Sequence, residues 1–280
     1  MTDQPQAAAV GDGRDLPEID STVAHAARVY DYMLGGEDNF EVDRIAAEQA
    51  AAAVGGMENV RSEVRANRAF LGRAVRFVAG EVGIRQFLDI GTGIPNDGNV
   101  HAVAQATAPD CRVVYVDNDP IVLAHAHALL NSTDEGATVY LQDDLRNPDS
   151  ILRRASESLD FGRPIALVLV GLLHHFRDDD DPYALVARLV DAVPSGSHLV
   201  ISHLAIDIMA EMMTKAAEHL NEAMEEPFVP RTRAAVERFF AGLELVEPGV
   251  VQVDEWRPDG PVATREGWTN PLYVGVARKP

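Results

Sequence analysis

Apolar positions follow two rhythms along this chain, and the change between them falls near residue 83. From Thr22 to about Ala53 the pattern is helical, interrupted at "LGGEDNF" by Gly35 and Gly36. A second helix, roughly Glu58 to Ala79, sets Val60, Val64, Phe70, Leu71, Val75 and Phe77 at helix-like spacings. Both come before the first good strand, so residues 21–82 are expected to form an N-terminal helical cap. Residues 1–20 are rich in Gly, Pro, Asp and Ala without apolar periodicity, and read as a mobile tail.

From residue 83 the rhythm alternates. "IRQFLDIG", "CRVVYVDND", "ATVYLQDDL", "PIALVLVGLL" and "SHLVISHLA" read as five strands. Between them "NVHAVAQATA", "PIVLAHAHALLN", a segment near 148–158 and "PYALVARLVDAV" read as helices. The strands are short apolar runs rather than alternating ones, which predicts parallel strands covered on both faces in a doubly wound α/β sheet. A helical insertion is expected over about 205–240, with a methionine-bearing helix at 207–225 and a second through "TRAAVERFFAG". "LELVEPGVVQVDEW" and "LYVGVARK" then close the chain as an antiparallel hairpin at one edge.

Charge narrows the partners. A formal net charge of −20 over 280 residues repels phosphate backbones and anionic membrane surfaces, so neither nucleic acid nor a membrane is expected. No signal-peptide pattern opens the chain, no run approaches the length of a membrane span, and Cys111 is the single cysteine. Cytoplasmic residence is expected, with Cys111 as inert packing at a strand start.

The candidate chemistry sits at the strand ends. In open α/β sheets ligands bind beyond the carboxyl ends of the strands. Gly91, Thr92 and Gly93 follow the first strand, where a missing Cβ lets a ligand approach the backbone. Asp117 ends the second strand, placed to accept hydrogen bonds from ribose hydroxyls, while Asp119 before Pro120 is the better helix cap. A dinucleotide fold would want a third glycine, yet Asn96 stands there and Gly98 comes two places late. Asp89 is an awkward neighbour for a pyrophosphate and a suitable one for a cofactor carrying an ammonium and a sulfonium. These residues point to S-adenosylmethionine. At the third strand, Asp143 or Asp144 would meet the adenine amine, with Leu145 packed on the ring and Asp144 favoured by its neighbour.

The fourth strand runs into "GLLHHFRDDDDP". His174 and His175 are of the type suited to proton transfer near neutrality and are the candidate catalytic residues, with His203 behind them. Asp178–Asp181 read as a solvated helix cap rather than a metal site. Met209, Met212 and Met213 read as core. Around the Gly-Gly bend, Arg28, Tyr30, Asn39 and Phe40 could close as a lid, with Tyr30 or Tyr32 beside the sulfonium. Asn67 and Arg68 could hold the cofactor's carboxylate or pair with nearby acids.

"FLDIGTG", "VVYVDNDP", "QDDL" and "VLVGLLHHF", in that order, resemble the successive motifs of class I S-adenosylmethionine-dependent methyltransferases. From about residue 22 to 278 the chain also resembles a bacterial family of methyltransferases without a defined substrate, through "ARVYDYMLGGEDNFEVDR", "RANRAFLGRAVRF", "FLDIGTGIP", "NVHAVAQ", "VVYVDNDPIVLAHA" and "DLRNP". The resemblance implies a Rossmann-like sheet of seven strands, the last antiparallel. Carried over, it implies Gly91, Thr92 and Gly93 as the cofactor loop, Asp117 as the ribose acid, Asn118 beside the adenine, and Asp144 with Leu145 at its edge, with Asp143 the alternative acid. The residues themselves add Tyr30, Asn39, Arg68 and Asp89 to the expected cofactor site. A small-molecule methyl acceptor is expected. Cofactor binding without methyl transfer is the second reading, and a nicotinamide oxidoreductase a distant third.

Overall fold

The five apolar runs lie side by side. The computed structural model describes residues 20–96, 98–122, 132–261 and 265–280. The runs become β1 (Gln86–Ile90), β2 (Arg112–Asp117), β3 (Ala137–Gln142), β4 (Ala166–Val170) and β5 (His198–Leu204), all parallel in the order β3-β2-β1-β4-β5. The winding reverses between β1 and β4, which opens a crevice at their carboxyl ends.

Alternate residues of each strand enter different cores. Phe87, Val113, Val168 and Val200 pack on one face, and Leu88, Val114, Leu167 and Leu199 on the other. Both faces are therefore covered, and each such side chain contributes about 1.5–3 kcal/mol on burial. Cys111 is free and buried among these residues.

Among the described residues the sheet has eight strands rather than the expected seven. β8 (Leu272–Arg278) runs antiparallel to β5, as expected, and β6 (Glu244–Leu245) and β7 (Val251–Gln252) both pair with β8 on its outer side. The sixth strand is split because Pro248 has no N–H for a ladder and Gly249 turns at φ 91. The connection from β7 to β8 holds Trp256, which is fully buried and meets Phe70 edge-on at 5.3 Å.

Helices α1 (Ala26–Leu34), α2 (Glu41–Ala53) and α3 (Met57–Arg76) precede the sheet. α4 (Val100–Thr107), α5 (Pro148–Ala155) and α6 (Pro182–Ala192) follow β1, β3 and β4, and α7 (Ala210–Ala223) and α8 (Arg233–Glu237) follow β5. The helix expected over 120–131 lies outside the described residues beyond its first turn, as does nearly all of the expected tail. Small side chains on α2 let it approach α7: Ala46, Ala47 and Ala50 share a core with Val29, Leu220 and Met224. The N-terminal helices and the insertion thus roof the crevice together. No helix among the described residues is long and apolar enough to cross a membrane.

Candidate active site

The turn after β1 is hooked onto β2. Gly91 and Thr92 donate their N–H groups to the Val116 carbonyl at 2.8 and 3.3 Å, and Gly93 donates to Asp117 Oδ2 at 2.8 Å. Gly91 and Gly93 take φ 72 and 67, a region that penalises any Cβ. At Gly91 a Cβ would also stand 2.5 Å from Leu172 Cδ1, whereas the same position on Gly93 faces open space.

Asp117 ends β2, buried, with Oδ1 accepting from the Asp119 N–H at 3.0 Å. Burial raises its carboxyl above the usual range, opposed by the Asp119 and Gly93 amides and by His25. The two amides use one lone pair on each oxygen and leave acceptor capacity on a residue that lines the cleft. Asp89 lies within β1, where burial pushes it up to about 7 against the opposing charge of Arg68 and a hydrogen bond from Thr92. Arg68 also donates to Asn99 Oδ1 at 3.0 Å, so it stands between the glycine turn and the start of α4.

The acids after β3 divide their work. Asp143 accepts from Ser150 Oγ at 2.8 Å and Arg154 at 3.1 Å, which ties it to α5. Asp144, more exposed, accepts from Asn118 Nδ2 at 3.2 Å and pairs with Arg146. Leu145 is buried beneath them and lines the same cleft.

At the end of β4 both candidate histidines line the cleft. Burial drives His175 down to about 4 and His174 well below its ordinary value, so both are neutral imidazoles near neutrality. His175 Nδ1 lies 3.1 Å from the Pro227 carbonyl, and His174 Nδ1 is buried without a hydrogen-bond partner. His203 is not among the residues that line the cleft. Its Nδ1 meets the Leu204 carbonyl at 2.8 Å, and its Nε2 meets Arg231 at 3.1 Å.

The lid residues separate into two groups. Tyr30 lines the cleft, its hydroxyl donating to the Val64 carbonyl at 3.3 Å and accepting from Asn67 Nδ2 at 3.1 Å. Tyr32 turns outward to Glu48. Asn39 does not line the cleft, contrary to its expected cofactor role, because its amide donates to Asp31 Oδ2 at 2.8 Å and Gly36 O at 2.9 Å and thereby closes the Gly-Gly bend. Arg28 and Phe40 brace each other with Asp43 at the base of the same bend. Met213 is buried and also reaches the cleft. The acid run does cap: Asp181 accepts from the Ala184 N–H, and Asp180 from that of Arg177.

Among the cleft residues that escaped sequence reasoning are His25, Glu63 and Glu226. His25 Nε2 lies 2.7 Å from Glu226 Oε1, and its Nδ1 lies 3.0 Å from Asp119 Oδ2. It joins the cap to the end of β2 and to the segment after α7. Glu63 had a visible signal, since it stands with Asn67 at i, i+4 beside the apolar stripe of α3.

A reversed α/β sheet, a Gly-x-Gly turn and acids at the tips of β2 and β3 facing one roofed crevice are the arrangement of a class I methyltransferase fold. The chain belongs to the S-adenosyl methyltransferase family, whose model matches residues 12–280. It is similar to a solved DUF574 family protein from Streptomyces avermitilis at 44% identity, covering 94% of this chain and 100% of that one with a TM-score of 0.88. A structure from Thermobifida fusca, described as a candidate methyltransferase, shares 41% identity over 94% of this chain and 97% of that one, with a TM-score of 0.84. No curated protein matches the chain. The chain is an S-adenosylmethionine-dependent methyltransferase by family, and S-adenosylmethionine is its cofactor. The nicotinamide expectation is left without support.

The residues present fit that cofactor. Gly93 leaves open space where a side chain would intrude, Asp117 keeps lone pairs for vicinal hydroxyls, and Arg68 beside Asp89 offers opposite charges for a zwitterionic amino-acid end.

Proposed function

We propose that this methyltransferase acts on a small-molecule acceptor held between the glycine turn and the helical roof. The observation that carries the reading is that Asp117, fixed by the Gly93 N–H, faces the same cleft as Asp144, Arg68 and the apolar roof residues Val60 and Leu220. In this reading Gly91, Thr92 and Gly93 admit the cofactor to the backbone. Asp117 takes the ribose hydroxyls, Asn118 and Asp144 the adenine edge, and Leu145 the ring face. Asp143 serves the site indirectly by fixing the strand tip to α5.

Arg68 and Asp89 take the carboxylate and ammonium of the amino-acid end. Tyr30 presents its ring near the sulfonium, where an aromatic face stabilises positive charge. The bound cofactor supplies an activated methyl group, so the chain's part is chiefly orientation and exclusion of water. His174 and His175 border the acceptor as neutral hydrogen-bonding groups. A cleft roofed by α1, α3 and α7 in a molecule of net charge −20 suits a small acceptor better than a nucleic acid.

Calorimetry with S-adenosylhomocysteine tests the cofactor half. Saturable binding to the parent and weakened binding to Asp117→Ala support the reading, and equal binding by both would remove it. Mass spectrometry of acceptor mixtures incubated with S-adenosylmethionine tests transfer through the appearance of products heavier by one methylene.

A further inference from the structure

Six carboxylates line the cleft: Glu63, Asp89, Asp117, Asp143, Asp144 and Glu226. Five are engaged. Asp89 has Thr92 and Arg68, Asp117 has two backbone amides, Asp143 has Ser150 and Arg154, Asp144 has Asn118 and Arg146, and Glu226 has His25. Glu63 has no hydrogen bond or ion pair among the described residues. Burial pushes its carboxyl up to about 8, and no positive charge offsets that shift.

The polar atoms around it are mismatched in one direction. Tyr30 donates its hydroxyl proton to the Val64 carbonyl, so its oxygen accepts from Asn67 Nδ2. That contact fixes the Asn67 amide with Oδ1 buried and unpaired. The next helical turn of the same face carries Glu63. Glu63 and Asn67 Oδ1 therefore stand one turn apart without protein partners, while the surrounding walls are apolar: Met33, Val60, Met213 and Leu220. A bound cation would hold the Glu63 carboxyl ionised, whereas in its absence burial favours the protonated form. A chamber with surplus acceptors and greasy walls is completed by a ligand with N–H groups on an apolar body.

The position separates this pair from the cofactor's amino-acid end. On α3, Arg68 reaches Asn99 and Asp89 at the glycine turn. Asn67 points elsewhere, toward Gly171 after β4, where a Cβ would stand 3.2 Å from its Nδ2. Glu63, at i−4 from Asn67, lies on that side of the helix.

Resting on the methyltransferase reading above, we propose that the acceptor is an amine with an apolar body, and that Glu63, with Asn67 Oδ1, receives its nitrogen. The carboxylate would hold the N–H groups and orient the nitrogen lone pair. It also offers a place for the proton that an ammonium group must shed first: an N–H bond would break, an O–H bond would form on Glu63, and the electron pair would stay on nitrogen. That pair would form the bond to the methyl carbon as the methyl–sulfur bond breaks with its electrons leaving on sulfur.

The test uses the S-adenosylhomocysteine-loaded protein and three probes of one shape: phenethylamine, 2-phenylethanol and 3-phenylpropionate. Calorimetry of the parent should show phenethylamine binding best and 3-phenylpropionate worst. Glu63→Gln and Glu63→Leu should each weaken phenethylamine about tenfold or more, the scale of a lost charge-assisted hydrogen bond. Both should bind S-adenosylhomocysteine as the parent does, and thermal denaturation confirms their folding. Equal affinity of the parent for amine and alcohol, or undiminished amine binding by the folded variants, overturns the proposal. So does loss of S-adenosylhomocysteine affinity in both variants, because it moves Glu63 to the cofactor. Absence of S-adenosylhomocysteine binding to the parent is a different failure: it removes the methyltransferase reading and this proposal with it.

Discussion

Gly93 donates its backbone N–H to Asp117 Oδ2 at 2.8 Å, so the turn after β1 and the acid at the tip of β2 are one unit. Removing the carboxylate takes away both the ribose acceptor and the anchor of the turn. Asp117→Ala should weaken S-adenosylhomocysteine binding by about 1.5–3 kcal/mol, the range for hydrogen bonds to a charged group. Titration calorimetry on the folded variant checks it, and unchanged affinity would dismiss the ribose role.

The two acids after β3 should separate by experiment. Asp143 fastens the strand tip to α5 through Ser150 and Arg154, whereas Asp144 faces Asn118. Asp143→Asn is expected to lower the melting temperature with little change in cofactor affinity. Asp144→Asn should do the reverse, weakening binding by about 1 kcal/mol. The opposite pattern in paired denaturation and binding measurements would exchange their roles.

These cases show what the sequence made legible. Acids and glycines at strand tips are encoded locally, because a strand's end fixes where its last side chain points. The parallel direction of β1 to β5 followed from apolar runs covered on both faces, whereas their lateral order comes from the structure. What stayed hidden was long-range. Glu226 comes after α7, yet it meets His25 at the start of α1. Asn39 was placed in the cofactor site by its motif, although a short-range bond to Asp31 takes its amide. Histidine type suggested proton transfer, but burial, which depends on the whole fold, drives His174 and His175 down. The split of the sixth strand is encoded in Pro248-Gly249, inside an otherwise apolar run.

The His25 contacts carry a pH dependence. Burial lowers the His25 pKa, but the Glu226 hydrogen bond and the charges of Glu226, Asp119 and Asp117 outweigh it, leaving a net raised value. A histidine raised on folding contributes stability in full below its unfolded pKa, near 6.5, and loses it as pH rises through the folded value. Glu226, held low by His25 against burial, contributes above its own unfolded value and loses this as pH falls. His25→Gln should therefore cost most stability near pH 6 and progressively less above neutrality. Denaturation midpoints of parent and variant at several pH values check this, and a constant difference would exclude a charged His25.

Behind the candidate histidines, Arg231 is buried and donates to the Leu173 carbonyl at 3.0 Å and the Phe176 carbonyl at 2.9 Å. These carbonyls bracket His174 and His175, so the guanidinium fixes the turn that aims both rings into the cleft. It also meets His203 Nε2 and reaches Asp178 at 2.8 Å at the surface. Methionine can fill the space but supplies no donors, and each buried carbonyl left unpaired costs about 1–3 kcal/mol. Lysine keeps the charge but has no planar fork to reach Leu173 and Phe176 together. Arg231→Met and Arg231→Lys should both lower the denaturation midpoint, methionine more. Asp178→Ala, which removes only the exposed partner, should change it by less than about 1 kcal/mol. If Asp178→Ala proved as damaging as Arg231→Met, the ion pair rather than the two carbonyls would be holding the turn.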